Sequence, residues 1–475
     1  MTVRVRYAPS PTGHLHVGSL RTALYNWLFA RHHNGTYLLR IEDTDMERSL
    51  PEYTESILKA LHWASLEPDE VPVIQSDRIE VHKEVAQKLL DQSLAYRCYC
   101  SSEELAKRIG ISAAHEGGYA YYDGFCRTRK EVEDKPYAIR FKIPDTLSFI
   151  EFNDLIRGPI SFMREQLDDF IIVRSDGMPM YNFVVVVDDA YMKITHVLRG
   201  EDHISNTPKQ VLLYQACGYD LPQFAHFSLI LGSDGQRLSK RHRATSVDSY
   251  RHDGILADAL CNYLVRLGWS HGDQEIFSRD ELVSYFDLDH MHKSGAIYDQ
   301  QKLEWLNGVF IRGRSSHELY LLLERDVDPH INDYFCNWSS QTLEAFIGLY
   351  KERVKTLKEL IDELRLLHER PREYPSDIVD ELVKKSVTEH LTVVREGLLQ
   401  LTPCSQESVD RLIKSICTEK GISPKQIFQP LRIALTGKIS SPGIALLIEL
   451  LSVEESVQRI DHFLKYLKRS MEHTN

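Results

Sequence analysis

The chain has 475 residues, enough for roughly two to four domains at ~100–200 residues each. With 43% hydrophobic and 27% charged residues and no long apolar run, its composition is that of a globular protein and sets aside disordered, fibrous and helical-membrane classes. A net charge of −12 argues against nonspecific nucleic-acid coating, while leaving room for a locally basic face that selects one RNA class.

The first 45 residues read as strand, turn, helix and strand. Val3–Tyr7 alternates like a short strand, and Ala8-Pro9-Ser10-Pro11-Thr12-Gly13 then breaks regular structure. Leu20, Ala23, Leu24, Trp27 and Leu28 share one helical face, Asn34-Gly35 reads as a helix stop, and Thr36–Ile41 reads as a second strand running into Glu42. A βαβ turn of this kind offers free helix N–H groups to phosphate. Gly13 and Gly18 allow close backbone approach, and His16 adds a side-chain donor. Taken alone, the pattern equally admits an ordinary loop with surface histidines. No presequence fits ahead of the first strand, so the cytoplasm is the expected compartment, with reduced or metal-bound thiols.

Glu52–Leu66 and Arg78–Leu94 read as amphipathic helices. Residues 95–145 change character, with clustered Tyr and Cys, and an inserted α+β domain is placed at 81–178, with strands at Tyr137–Ile143 and Ser161–Met163. Tyr181–Val187 is short, β-branched and bounded by Asp188-Asp189, which predicts a strand buried on both faces of a parallel sheet. Lys193–Leu198 and His226–Leu231 predict further strands, and 204–216 a helix. The fold class is therefore α/β, a split doubly wound, Rossmann-like parallel sheet with an inserted α+β domain. Beyond residue 236 the pattern is an all-α C-terminal region, with helices at 254–267, 279–286, 299–307, 317–325, 341–368, 376–401, 405–419 and 453–471.

Ala8–Gly18, followed by Arg40-Ile41-Glu42-Asp43-Thr44-Asp45, resembles the nucleotide-binding signature of the glutamyl/glutaminyl branch of class I aminoacyl-tRNA synthetases. The His-x-Gly-His element of that class corresponds to His16-Val17-Gly18-Ser19, with Ser19 in place of the second histidine. Arg237-Leu238-Ser239-Lys240-Arg241, which alone would be a basic surface loop, resembles the second signature, Lys-Met-Ser-Lys-Ser. The resemblance implies an ATP site of Pro9, Thr12, Gly13, His16, Gly18, Arg237, Leu238, Ser239, Lys240 and Arg241, with His16 and Lys240 catalytic and Mg2+ carried on ATP. It implies an L-glutamate site of Arg6, Ala8, Ser10, Glu42, Tyr181 and Arg199. Two arginines suit two carboxylates and favour glutamate over a neutral amide.

Cys98-x-Cys100, with Tyr122 and Cys126, offers thiolates of the kind that hold tetrahedral zinc. Many family members end this site with Cys-x-His, but here Thr128 occupies the histidine position. A tyrosine-ligand variant of close relatives fits Tyr122, His115 is an alternative, and metal-free thiols are the competing reading. Cys217, Cys261, Cys336, Cys404 and Cys417 lack ligand spacing and are expected as buried packing residues. Tyr298–Gly308 resembles the stem-contacting region of bacterial glutamyl members, and Gln429–Gly437 with Ser441-Pro442-Gly443 resembles their helical anticodon-binding domain. Arg353 is a candidate tRNA contact there, or simply a solvated helix residue.

The implied division is catalytic halves at 1–80 and 179–235, the insertion at 81–178, a stem-contact domain at 236–316 and an anticodon-binding region at 317–475. The implied activity is ligation of L-glutamate to glutamate tRNA through an adenylate. The implied partners are that tRNA, glutamine tRNA in some relatives, ATP and glutamate, on a monomer away from membranes. A glutamyl-queuosine enzyme lacks such a helical tail, and a glutaminyl enzyme carries β-barrels there. A small-molecule nucleotidyltransferase leaves the C-terminal third unexplained. A non-catalytic RNA-binding relative would not need His16, Glu42, Arg199 and Lys240 together.

Overall fold

The computed structural model describes residues 2–45, 47–109, 122–129, 135–238, 246–375 and 387–473. His115, Ser239, Lys240 and Arg241 lie outside the described residues, as does the expected helical stretch 376–386. The chain divides into two compact units, residues 1–250 with 257–303, and residues 251–256 with 304–475. Among the described residues no helix is long and apolar enough to cross a membrane.

The first unit begins with β1 (Arg4–Tyr7), α1 (Val17–His32), β2 (Thr36–Ile41), α2 (Pro51–Trp63), β3 (Val73–Ile74) and α3 (Ile79–Asp91). β4 (Ala95–Cys98), α4 (Ser102–Ile109), β5 (Ala138–Phe141), β6 (Phe149–Asp154), β7 (Gly158–Met163) and β8 (Ile171–Val173) follow. Then come α5 (Tyr181–Tyr191), β9 (His196–Gly200), α6 (Thr207–Cys217) and β10 (Gln223–Phe227). β1 pairs parallel with β2, and β2 with β3. β9 and β10 are parallel, and β10 also takes β6 in parallel, with β7 folded back antiparallel on β6. Arg4 N donates to Thr195 Oγ1 at 2.8 Å and Thr195 N to Arg4 O at 2.9 Å, which sets the start of β9 beside β1. β4, β5 and β8 make a separate antiparallel sheet.

α1 is buried on nearly every side, because it lies between the β1–β2 sheet and helices of residues 257–266 and 279–285. Its buried Arg21 donates from Nη1 to Leu267 O at 2.5 Å and from Nη2 to Ser228 O. The helix stops as the sequence predicts. Asn34 turns left-handed at φ 50°, and a Cβ on Gly35 would sit 2.4 Å from Val3 O, so only glycine lets the chain return beside β1.

The expected strand at Tyr181–Val187 is wrong: these residues open the helix α5. Phe183 to Val187, Asp188 and Asp189 are all buried. A helix buried all round carries the same continuous apolar run as a two-face-buried strand, and packing overrides the β preference of valine. The difference matters for the site. Eight residues of helix span ~12 Å, so Asp189 stays close behind Tyr181, where a strand would carry it ~26 Å away.

In the second unit, helices Ser316–Leu322, Ser340–Tyr350, Leu357–His368, Val387–Leu399, Gln406–Lys420, Lys425–Thr436, Ile444–Leu451 and Val453–His473 pack on one another. The single helix expected at 341–368 is two, because Thr356 caps a new start by accepting from Glu359 N. Helices at 425–436 and 444–451 went unpredicted. Pro430 sits inside the first, and the second is only eight residues long. The buried Arg459 ties two helix ends, donating to Leu435 O at 2.7 Å and Leu367 O at 2.6 Å. Of the five cysteines expected to be buried, Cys261 and Cys417 are, Cys217 and Cys404 are half-buried, and Cys336 is exposed in the turn after the short helix Ile331–Tyr334.

Candidate active site

A cavity of about 970 Å³ opens where β1, β2, β9 and β10 end. Ligands of open α/β sheets sit in such a crevice, outside the carboxyl ends of the strands. The strand ends deliver Arg6, Glu42, Arg199 and Phe227, the loop Ala8–Leu15 forms one wall, and the N-terminus of α1 forms another. The cavity gathers all six predicted glutamate contacts, Arg6, Ala8, Ser10, Glu42, Tyr181 and Arg199. It also gathers Pro9, Thr12, Gly13, His16, Gly18, Arg237 and Leu238 of the predicted ATP site. Leu238 and Ser246, the described residues on either side of 239–245, both line the cavity, and Ser246 bridges to His16.

The charges at its base are buried and interlocked. Asp189 Oδ1 accepts from Arg6 Nε at 3.0 Å and from Arg40 Nη1 at 2.5 Å. Arg40 Nη2 donates to Glu42 Oε1 at 2.9 Å. Arg199 donates from Nη2 to Thr207 Oγ1 at 2.9 Å and from Nε to His226 Nε2 at 3.1 Å, and its Nη1 is buried without a partner among the described residues. Three guanidiniums thus face two carboxylates, leaving one positive charge. Asp188 is matched separately by Arg78 at 2.7 Å and His82 at 2.8 Å. Burial raises Glu42 above the usual carboxylate range, with Arg40 only partly offsetting it. Burial also works to raise Asp189, but Arg6 and Arg40 outweigh it and hold that carboxyl low. Burial raises the Tyr181 hydroxyl, and Glu42 adds to the effect.

The phosphate-facing side is built around His16. It caps α1, accepting from Ser19 N at 3.4 Å on Nδ1, while Ser19 Oγ lies 3.1 Å from Nε2. Ser19 therefore holds the imidazole from the position where the resembling signature has a second histidine. A Cβ at Gly18 would sit 3.2 Å from the His16 ring, so glycine keeps that ring free to lie flat on the turn. Burial, and then the charge of Arg237, lower His16 below the usual imidazole value. Arg237 is paired with Asp202 at 3.1 Å. The first turn of α1 carries no acidic residue, so the positive end of its dipole is left for an anion.

Residues 2–305 match the family described as tRNA synthetases class I (E and Q), catalytic domain. The chain belongs to that family. A second match follows, to the family described as anticodon binding domain, over residues 323–464. The chain is 47% identical over 473 residues to the glutamate–tRNA ligase of Pelobacter propionicus, covering 98% of this chain and 99% of that protein. It is 46% identical to that of Thermodesulfovibrio yellowstonii, covering 96% and 98%. Among solved structures it is similar to a glutamate tRNA ligase from Elizabethkingia meningosepticum in complex with its amino acid, with TM-score 0.87, 33% identity and coverage of 98% and 100%.

Away from the cavity, this synthetase places the predicted metal residues together. The sulfurs of Cys98, Cys100 and Cys126 lie within 4.8 Å of one another. Tyr122 Oη is 3.6 Å from Cys98 Sγ and 3.9 Å from Cys100 Sγ, and it accepts from Cys126 N at 2.7 Å. Arg140 Nε donates to Cys98 Sγ at 3.4 Å and Arg108 Nη2 to Cys100 Sγ at 3.3 Å, two cations that suit thiolates. Arg353 sits in the break before the helix Leu357–His368 and donates to Ser440 Oγ at 2.5 Å. With Lys438 it lines a cavity of about 490 Å³ in the second unit.

Sequence reasoning did not find Arg40, Asp189, Thr207, His226 or Asp154 as members of the site. Their signal was present as charged or polar residues embedded in apolar runs, such as His226 in Phe224-Ala225-His226-Phe227, but such residues gain meaning only once partners are known.

Proposed function

We infer that the chain joins L-glutamate to the 3′ end of glutamate tRNA in two steps. The observation that carries this reading is the surplus of one guanidinium over the carboxylates in the buried cluster of Arg6, Arg40, Arg199, Glu42 and Asp189. The glutamate zwitterion has one net negative charge and glutamine none, so only glutamate leaves the buried cluster neutral. Arg6 and Arg199 take the carboxylates, Glu42 takes the α-ammonium, and Tyr181 adds a hydroxyl. ATP lies along His16, Gly18 and the start of α1, with Mg2+ accompanying its phosphates.

An oxygen of the α-carboxylate attacks the α-phosphorus in line, and the bond to pyrophosphate breaks. The terminal ribose hydroxyl of tRNA then attacks the adenylate carbonyl and AMP departs. Neither step asks for an enzyme nucleophile. The chain contributes position and fixed charge, from His16 and the α1 N–H groups and, on the segment between Leu238 and Ser246, from Lys240. Charging of a glutamate tRNA transcript with radiolabelled glutamate tests the reading. Acid-precipitable product that depends on ATP and tRNA is the expected outcome, and none above an Arg199→Ala control would contradict it.

Finer assignments follow from the same reading. The catalytic halves are residues 1–80 and 179–235, residues 81–178 approach the acceptor end, 236–316 the stem and 317–475 the anticodon, in keeping with the two family matches. Arg353 contacts tRNA, supported by its place beside Lys438 on a cavity wall. The enzyme acts as a cytoplasmic monomer on glutamate tRNA, and charging of a glutamine tRNA transcript beside it reads the tRNA scope. Cys98, Cys100, Cys126 and Tyr122 would hold one zinc ion. Three sulfurs and one oxygen meet its ligand count, and it would fasten the segment around Tyr122 to β4. Elemental analysis of purified protein should find about one zinc per chain, falling to near zero in Cys98→Ala. A zinc-free protein of unchanged melting temperature would reject this ligand set.

A further inference from the structure

Arg199 is buried at the end of β9, and its donors are unequally used. Nη2 is spent on Thr207, Nε on His226, and Nη1 has no partner among the described residues. His226 is itself fully buried on β10, with Asp154 of β6 behind it and Asp154 Oδ2 2.6 Å from Nδ1. The other partners of that carboxylate are all donors. It accepts His226 N at 3.1 Å, Ile156 N at 3.0 Å and Arg157 N at 2.9 Å. A carboxyl surrounded by donors is ionised, so the shared proton sits on Nδ1. Nε2 is then a lone pair, the only form of the ring that can accept Arg199 Nε–H.

We propose that His226, locked as the Nδ1–H tautomer by Asp154, is a positioning residue that fixes the Arg199 guanidinium and leaves Nη1 for a substrate carboxylate. The inference rests on the reading that Arg199 binds glutamate. Burial, then the positive charge of Arg199, keep His226 below the usual imidazole value even against the pull of Asp154, so the ring is neutral. The charged and titratable groups around it are Asp154, Arg157, Arg199 and His203. Thr207 Oγ1, 3.1 Å from the same Nε2, closes the ring's polar edge, and Phe224 stacks on its face at 6.2 Å. None of these could hand the ring a second proton without breaking its bond to Arg199.

The test uses the full chain in tRNA-dependent ATP–pyrophosphate exchange, with KM read separately for glutamate and ATP. His226→Leu removes the acceptor, Asp154→Asn donates to the ring and drives its proton to Nε2, and His226→Gln restores an acceptor near the Nε2 position. His226→Leu and Asp154→Asn should raise the glutamate KM about tenfold or more, with the ATP KM within about twofold, and His226→Gln should recover most of the loss. Nitrogen NMR of histidine-labelled protein should show Nδ1–H at His226 in the parent and Nε2–H in Asp154→Asn. Should His226→Leu fail to fold, the other two variants and the spectrum decide. Equal loss in the Gln and Leu variants, an ATP KM rising in step, or an Nε2–H ring in the parent would overturn the proposal. Arg199→Lys separates the two layers. If it leaves the glutamate KM unchanged, the reading of the site fails. If it raises that KM while Asp154→Asn and His226→Leu do not, only the role of His226 fails.

Discussion

Glu42 is the residue whose chemistry is most exposed to pH. It is buried at the end of β2, and its carboxyl is raised above the usual range by that burial. A raised acid protonates early as pH falls, and a neutral Glu42 offers an α-ammonium no counter-charge. The glutamate KM should therefore climb on acidification at pH values above the ~4.3 of an ordinary glutamate side chain. In Glu42→Gln the KM should be high throughout, by roughly 10- to 150-fold for a lost charge-assisted bond of about 1.5–3 kcal/mol, and flat over the same range. Measured KM profiles from about pH 8 to pH 5 check both, and parallel profiles for parent and variant would remove Glu42 from the ammonium site. Many of the residues that line the cavity were legible in sequence because they lie in two short contiguous motifs, one around Arg6 to Gly18 and one around Glu42. Their partners were not. Asp189, Thr207 and His226 come from other elements, and a buried charge in an apolar run looks the same whether it serves a ligand or a neighbour.

At the scale of elements, α5 is the instructive case. Its sequence, Tyr-Asn-Phe followed by four valines, reads as a strand by propensity and as a buried helix by packing, and only the second places Asp189 between Arg6 and Arg40. The other elements around the site were legible because α1 is bounded by strong signals, a Pro- and Gly-rich turn before it and Asn34-Gly35 after it. Asp189 should be the energetic keystone of α5. Asp189→Asn leaves two buried guanidiniums short of a counter-charge and should destabilise the protein by about 3–5 kcal/mol. Asp69→Asn, which breaks the partly exposed pair with Arg31, should cost about 1 kcal/mol or less. Urea unfolding of both variants checks the ranking, and equal losses would mean that the cluster is not a buried charge network.

On the scale of the whole molecule, the site is assembled from segments near residues 6, 42, 199 and 237, so it exists only when the interrupted sheet is closed. That long-range assembly is why composition and periodicity alone left the phosphate turn indistinguishable from a loop. The second signature gave it meaning only when joined to the first. Lys240 belongs to this scale. Lys240→Ala should slow adenylate formation by about 100-fold or more while leaving tRNA affinity within a few-fold, because its charge is asked for in the transition state and not in tRNA binding. Stopped-flow activation beside a filter-binding titration checks this, and equal loss in the two assays would refute that role. The central claim is that the surplus guanidinium of the buried cluster selects glutamate. It is tested most directly by ATP–pyrophosphate exchange with glutamate and with glutamine, each in the presence of glutamate tRNA. The account predicts exchange with glutamate and a kcat/KM for glutamine lower by about a thousandfold or more, the penalty of about 4 kcal/mol for leaving a buried guanidinium unpaired. Comparable exchange with the two amino acids, or exchange with glutamine alone, would contradict it.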